Sequence, residues 1–463
     1  MIELEHVYKE ISGDIETPVT AYLKLNASNS FLLESVTGGE QVARFSIIGM
    51  DPFCIFKYQH QHLQMTMFGK DVPCSGNPFD VLEKQLSSFS LDINDDLPSF
   101  VGGAVGYFGW DTIFHIESIQ RVQKEVSKYP DAHFLFPKSM VIFDHAKRKI
   151  ILLTLVPKGD IESGRKALRD IENRLNEPLT SQSTDIGQVP DDVFETVTST
   201  YEKASFKSDV EKVKKHIYEG DVFQLVLSQR FSIESAKKPF DVYRSLRAIN
   251  PSPYMYYFRF EDYYIIGSSP EILTCLENGK AKVRPLAGSR PRQKENEHEV
   301  VEELKSDDKE KAEHIMLVDL GRNDLGRVCD YQSIQTSHLM EVEKYSHIMH
   351  MVSHVSGTLS PDKSAMDLLK ATFPAGTVSG APKVRAIELI EEIEPTRRGP
   401  YSGALGYFDY KGNMDMCIMI RTLFMQNGVY DIQAGAGIVA DSDPELEYTE
   451  TRNKAKGIIS ACF

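Results

Sequence analysis

The sequence predicts an α+β protein, with antiparallel β-sheets packed as a sandwich and flanked by helices. Three observations predict it. Runs of alternating or continuous apolar residues, bounded by Gly, Pro, Asn and Ser, recur in both halves of the chain. Amphipathic helical patterns lie between them. Two strand-like landmarks also occur twice. GAVGYFGW at Gly103 reappears as GALGYFDY at Gly403, an offset of 300, and FSIIGMDP at Phe45 as YYIIGSSP at Tyr263, an offset of 218. The difference of 82 implies an internally duplicated unit whose second copy carries extra material between the landmarks.

In chain order, FLLES (from Phe31), FSIIG (from Phe45) and CIFKY (from Cys54) read as strands, with turns at Thr37–Glu40 and Met50–Pro52. VGGAVGYFGWD, from Val101, is a glycine-punctuated strand and turn. MVIFDHAKRKIILLTLV, from Met140, reads as a hairpin, and Asp160 to Asn176 has helical periodicity. Ser, Thr, Pro, Asp and Gln then dominate from Glu177 to Ser199, so 177–200 is the expected linker between an N-terminal strand-rich region, 1–176, and a larger region, 201–463. The second region opens on a helix with Phe206, Val210, Val213 and Ile217 on one face. Strands are expected at QLVLSQRF, YMYYFRF and YYIIGSS. Helices are expected at Glu297–Gly321, at Ser364–Thr372, from Pro382 and from about Pro444. GSSPEILTCLENGKAKVRPLAGSRPR, from Gly267, reads as a strand end, a hairpin and a closing Pro-Leu-Ala-Gly-Ser turn.

At 463 residues the chain can bury a large core, and 41% apolar with 26% charged residues is globular composition. The net charge of −15 argues against a nucleic-acid partner. No apolar run has membrane-spanning length and MIELEHVYKE is no signal peptide, so a cytoplasmic protein without membrane association is expected. Six cysteines without a CxxC pair fit reduced core thiols.

Two carboxylate pairs, Glu310 with Glu313 and Glu447 with Glu450, each share a helix face. Such pairs are commonly solvated surface. Here Glu313 runs into the apolar stretch Ile315–Leu320 and Glu450 follows an Ala-Gly-Ala-Gly-Ile turn. If the four converge, they need a hard cation, and Mg²⁺ takes such oxygen ligands. His347, His350 and His354 would share a helix face, whereas in a strand only His350 and His354 share one. QAGAGIVA imitates a dinucleotide fingerprint, but the chain ends 23 residues after Ala440, too soon for the next strand. PAGTVSGAPK leads into a helix N-terminus that could bind an anion. No cysteine sits in a nucleophile elbow, so the chain has no glutaminase of its own.

The ordered set GSSPE, PLAGSRPR, AEHIMLVDLGRND, FPAGTVSGAPK, GALGY, IRTLF, AGAGIV and EYTETRNKA resembles the chorismate-utilising enzymes over almost the whole chain, and best their anthranilate-forming branch. The resemblance implies Mg²⁺ as cofactor at Glu310, Glu313, Glu447 and Glu450. It implies chorismate at Ala287, Gly288, Thr377, Tyr401, Arg421, Gly435, Ala436, Gly437 and Lys454. Glu271 matches the acid that helps the C4 hydroxyl leave, and His350 the residue that promotes loss of pyruvate; Thr377 and Gln224 complete the catalytic set. Relatives that add water carry a lysine where this chain has Gln224, and a neutral amide cannot be a general base. Aminodeoxychorismate-forming relatives typically carry lysine in the turn that here holds Ala287. Both positions favour amination at C2 followed by pyruvate elimination. The same-family alternatives are an enzyme stopping at the aminated intermediate or an aminodeoxychorismate- or isochorismate-forming one, and the alternative from another class is an amino-acid-binding regulatory protein with a dead active site. Ammonia is expected from a separate glutamine amidotransferase subunit. Glu34, Ser35, Pro253, Tyr254 and Met255 match the family's elements for tryptophan as feedback inhibitor.

Overall fold

The computed structural model describes residues 1–35, 44–92, 97–179, 190, 192–291, 297–344 and 348–463. The expected Thr37–Glu40 turn, most of the linker and His347 lie outside them. Two long strands organise the chain. Phe45–Gln59 and Ala132–Asp144 pair from Phe45–Asp144 to Tyr58–Ala132, with a bulge between Pro52 and Cys54. The sequence reading placed a turn here and two strands. Instead one 15-residue strand runs through, because a proline without an N–H is accommodated at a bulge, where Asp51 takes a φ of 51°.

On one side of the bulge the long pair continues through Ser30–Glu34, Tyr254–Arg259, Tyr264–Ser269, Thr422–Gln426, Val429–Ile438 and Gln224–Glu234. On the other it continues through Gly103–Phe108, Ala404–Asp409, Met414–Ile418 and Ile272–Glu277, and on to Ile348–Thr358. Strand alternation divides the first branch between two cores. Phe31, Ile47, Phe258 and Ile265 face the core shared with the second branch. Leu32, Ile48, Tyr257 and Ile266 face the other way, onto Ala21, Leu168, Leu246 and Ile458 of covering helices. This is the expected sandwich flanked by helices. Among the described residues no helix is long and apolar enough to cross a membrane.

The duplication is visible as symmetry. Gly103–Phe108 pairs antiparallel with its own copy, Ala404–Asp409, so that Gly106 faces Gly406. Ser30–Glu34 pairs in the same way with Tyr254–Arg259, Leu32 facing Tyr257. A glycine is covered by an aromatic ring at matching places, Gly49 by Phe31 and Gly267 by Tyr256. The two sequence regions flanking 177–200 therefore share their sheets. The extra material of the second copy includes helices Glu297–Ser306 and Asp308–Gly326 and strands Gln335–Lys344 and Ile348–Thr358. These elements bring Glu310, Glu313 and His350.

Candidate active site

Glu271 stands where strand Tyr264–Ser269 ends and hairpin Ile272–Val283 begins. Its backbone is pinned: Ser269 Oγ donates to the Ile418 carbonyl at 2.7 Å, and the Ile418 N–H donates to the Glu271 carbonyl at 3.0 Å. The carboxyl is buried and accepts a 2.9 Å hydrogen bond from Thr377 Oγ1. Burial pushes its pKa up to about 7, against the pull of the Thr377 hydroxyl and of the cations Arg421, Lys454 and Arg284. A carboxylic acid so tuned holds a proton near neutrality and can deliver it.

The Pro-Leu-Ala-Gly-Ser segment is a strand, not the turn expected from its composition. Leu286–Pro291 pairs with Ile348–Thr358, and the register shifts between Ala287 and Ser289. Gly288 makes that irregularity with a φ of +70°, and a Cβ there would lie 3.1 Å from Glu310 Oε2. His350 is in the adjoining strand, which bears out the strand reading of the histidine cluster. Burial, helped by Arg421 and Arg284, lowers its pKa to about 4, while a bond with the Gly288 backbone opposes the shift. The imidazole is therefore neutral near pH 7 and able to accept a proton. Arg284, unremarked in the sequence reading, acts on both Glu271 and His350; its only sequence signal was a cation directly before Pro285.

Strand Gln224–Glu234 pairs with Val429–Ile438, Val226 facing Gly437 and Ser228 facing Gly435. The two glycines make room. A Cβ at Gly437 would lie 2.8 Å from Gln224 Nε2, and one at Gly435 would lie 3.1 Å from the Tyr401 hydroxyl. Ala436 points to the opposite face, into the core, so only its backbone is available to a ligand. Gln224 Nε2 donates to Glu313 Oε1 at 3.1 Å. Lys454 Nζ donates to the Gly435 carbonyl at 3.0 Å and pairs with Glu450 at 2.7 Å. Helix Pro444–Ile459 thus attaches to the Gly435–Gly437 segment directly, and helix Asp308–Gly326 to Gln224 on the neighbouring strand. A cleft of about 530 Å³ opens between Asn250, Arg421, Glu450 and Lys454.

Oxygen donors at Glu310, Glu313, Glu447 and Glu450 suit Mg²⁺ in chemistry. In this fold Glu310 is held by Arg290 at 2.8 Å, as Glu450 is by Lys454. Both pairs are partly exposed, so exchange for a cation costs little. The tightest group of metal-type donors among the described residues is elsewhere, at His216, Glu219 and Asp221. There Asp221 is already bonded to His216 and Arg385.

The proposed regulatory residues come together in part. Met255 stands directly opposite Glu34 across two paired strands, and Ser35 and Pro253 flank them. Glu34 accepts from the Tyr243 hydroxyl at 2.5 Å and pairs with Arg247 at 3.1 Å. Tyr254 turns to the other face, where its hydroxyl donates to Asp415 at 3.0 Å.

This constellation belongs to a recognisable class. The profile of the chorismate binding enzymes matches residues 28–460, and the chain is a member of that family. Within it, the chain is 44% identical to anthranilate synthase component 1 of Acetivibrio thermocellus, over 98% of this chain and 94% of that one. The crystal structure of anthranilate synthase component I from Streptococcus pneumoniae superposes with a TM-score of 0.81 at 39% identity, covering 97% of this chain and 98% of that one. The menaquinone-specific isochorismate synthase of Escherichia coli shares the fold, with a TM-score of 0.75 at 17% identity, covering 100% of this chain and 96% of that one.

Proposed function

We propose that this chain is the large subunit of an anthranilate synthase, a lyase that aminates chorismate at C2 and eliminates pyruvate. The observation that carries the reading is a buried acid poised near neutrality, Glu271, held by Thr377, and a neutral buried histidine, His350, both under the influence of Arg284 and Arg421. Arg421 and Lys454 offset the substrate's carboxylates. Glu310, Glu313, Glu447 and Glu450 would hold Mg²⁺, which supplies further positive charge at the substrate. Glu271 gives its proton to the departing C4 hydroxyl, which leaves as water, while ammonia's electron pair forms the C2–N bond. His350 then promotes loss of pyruvate from the aminated intermediate. Gln224 is bonded to Glu313 and has no basic lone pair to activate water, which disfavours hydration. A buried His350 that is unprotonated near pH 7 suits a proton-transfer role in the elimination and so disfavours stopping at the intermediate.

The experiment is direct. Pure chain, chorismate, Mg²⁺ and ammonium should yield anthranilate, followed by its fluorescence, with the rate at a fixed pH rising with the concentration of free ammonia. Glutamine should serve only after an amidotransferase subunit is added. Isochorismate as the product, or glutamine use by the chain alone, would overturn the reading.

Feedback by tryptophan is part of the proposal. Met255 faces Glu34, while the next residue back, Tyr254, pairs with Ser269, two positions before Glu271. A ligand at the Glu34–Met255 end of this strand pair would therefore act on the strand that leads to the acid. Ser35→Ala or Met255→Thr should raise the tryptophan concentration needed for half inhibition about 10-fold or more, with uninhibited turnover largely intact. Tryptophan and chorismate should weaken each other's binding by one shared factor, which calorimetry can measure. Unchanged chorismate affinity and turnover with tryptophan bound would exclude the regulatory site.

A further inference from the structure

We propose that Arg398, clamped by Glu394, is a positioning residue that holds the Thr377 turn and the Gln224 strand in place around Glu271. The inference rests on the reaction proposed above. Both side chains are almost wholly buried, at 1% and 2% exposure. Arg398 Nε donates to Glu394 Oε2 at 2.9 Å and Nη2 to Oε1 at 2.7 Å, a bidentate pair. The remaining donors reach two backbone carbonyls. Nη1 meets Val378 at 2.7 Å, and Nη2 meets Val226 at 2.8 Å. Glu394 Oε1 also accepts from Ser228 N at 2.8 Å and Ser228 Oγ at 2.7 Å. The guanidinium lies 4.2 Å from the Trp110 ring and 5.6 Å from that of Tyr401.

Each contact leads to the site. Val378 follows Thr377, the direct partner of Glu271. Val226 is two residues beyond Gln224 and faces Gly437. Tyr401 lies beside Gly435. Bulk stability does not require such a pair, since well-packed apolar residues commonly replace buried ion pairs without loss. What apolar residues cannot supply is a planar fork that fixes two carbonyls from different segments at once. Through the Val378 carbonyl, that fork sets the direction of the Thr377 hydroxyl. Arg284, Arg421 and Lys454 act on Glu271 from other elements.

The test is a double-mutant cycle on kcat for anthranilate formation, at a fixed concentration of free ammonia. Arg398→Lys keeps the charge and loses the fork. It should lower kcat roughly 10–100-fold, the scale of a small misplacement, with the Kd for chorismate within about threefold of wild type. Thr377→Val removes the hydroxyl itself. If Arg398 acts through Thr377, the double variant should be no slower than the slower single one; losses that multiply would overturn the proposal. Amide exchange across 374–382 should quicken in Arg398→Lys by more than the fall in global stability accounts for. Unchanged exchange there would also overturn it. Should Arg398→Lys fold poorly, Glu394→Gln takes its place in both measurements. Exchange needs no turnover, so it decides on the clamp even where wild type makes no anthranilate, a result that would refute the proposed reaction instead.

Discussion

Glu271→Gln should lower kcat by about 10²–10⁴-fold while the protein stays folded and still binds chorismate. Glutamine nearly matches the shape of glutamate, and its carbonyl oxygen can still accept from Thr377 Oγ1. What it lacks is the proton for the C4 hydroxyl. In the wild type the acid must be protonated to act, so kcat at fixed free ammonia should fall as pH rises past about 7. The same group makes a stability prediction. Burial raises its folded pKa from 4.5 to about 7, so the unfolded chain loses the proton first. Stability is then undiminished below about pH 4.5 and falls as pH rises towards 7, by on the order of 3 kcal/mol if the whole difference is expressed. Glu271→Gln removes that penalty, and should melt higher than wild type at pH 8 but not at pH 4.5. Near-normal turnover would remove Glu271 from the catalytic role. Equal melting shifts at both pH values would mean that its carboxyl is not held in the environment described.

Much of this was legible because it is local. The strands around Phe31, Gln224 and Tyr254 announce themselves by apolar runs between turn residues, and the last helix by Asp443-Pro444 at its start. The repeat was legible because both copies keep a glycine-aromatic landmark. Two local signals misled. Met50-Asp51-Pro52 has turn chemistry yet sits inside one strand, because neighbours on both sides keep the chain in the sheet around a left-handed Asp51 and a bulge. Pro285-Leu286-Ala287-Gly288 has turn chemistry too, yet the His350 strand recruits it into the sheet around a left-handed Gly288. Tertiary pairing overrode composition at both places. Contacts between distant residues could not be read at all. That Gln224 meets Glu313 and that Arg398 spans Val226 and Val378 are consequences of tertiary packing, and that Met255 faces Glu34 of strand register, none of which a single segment encodes. Resemblance nominated most of these positions, and geometry shows what each one touches.

Removal of Mg²⁺ should have an effect comparable to loss of the acid. EDTA should abolish anthranilate formation and added Mg²⁺ should restore it. Glu313→Gln should be nearly inactive, by roughly two orders of magnitude or more, because hydrated Mg²⁺ needs charged oxygen anchors rather than amides. The fold should tolerate the change. Gln224 Nε2 now donates to Glu313 Oε1 at 3.1 Å, and the carbonyl of the substituted glutamine can accept the same bond. The neighbouring anchors are already partnered, Glu310 by a partly buried Arg290 and Glu450 by Lys454 in a half-exposed pair worth about 0–1 kcal/mol. A divalent cation with bound substrate can displace such partners, whereas it cannot recover a charge removed by substitution. Calorimetry in the presence of chorismate should therefore show Mg²⁺ binding weakened at least 10-fold in Glu313→Gln, independent of turnover, with the thermal melt of the metal-free protein within a few degrees of wild type. Mg²⁺ binding and turnover that both survive this substitution would mean that Glu313 serves Gln224 alone, and that the cation is held elsewhere.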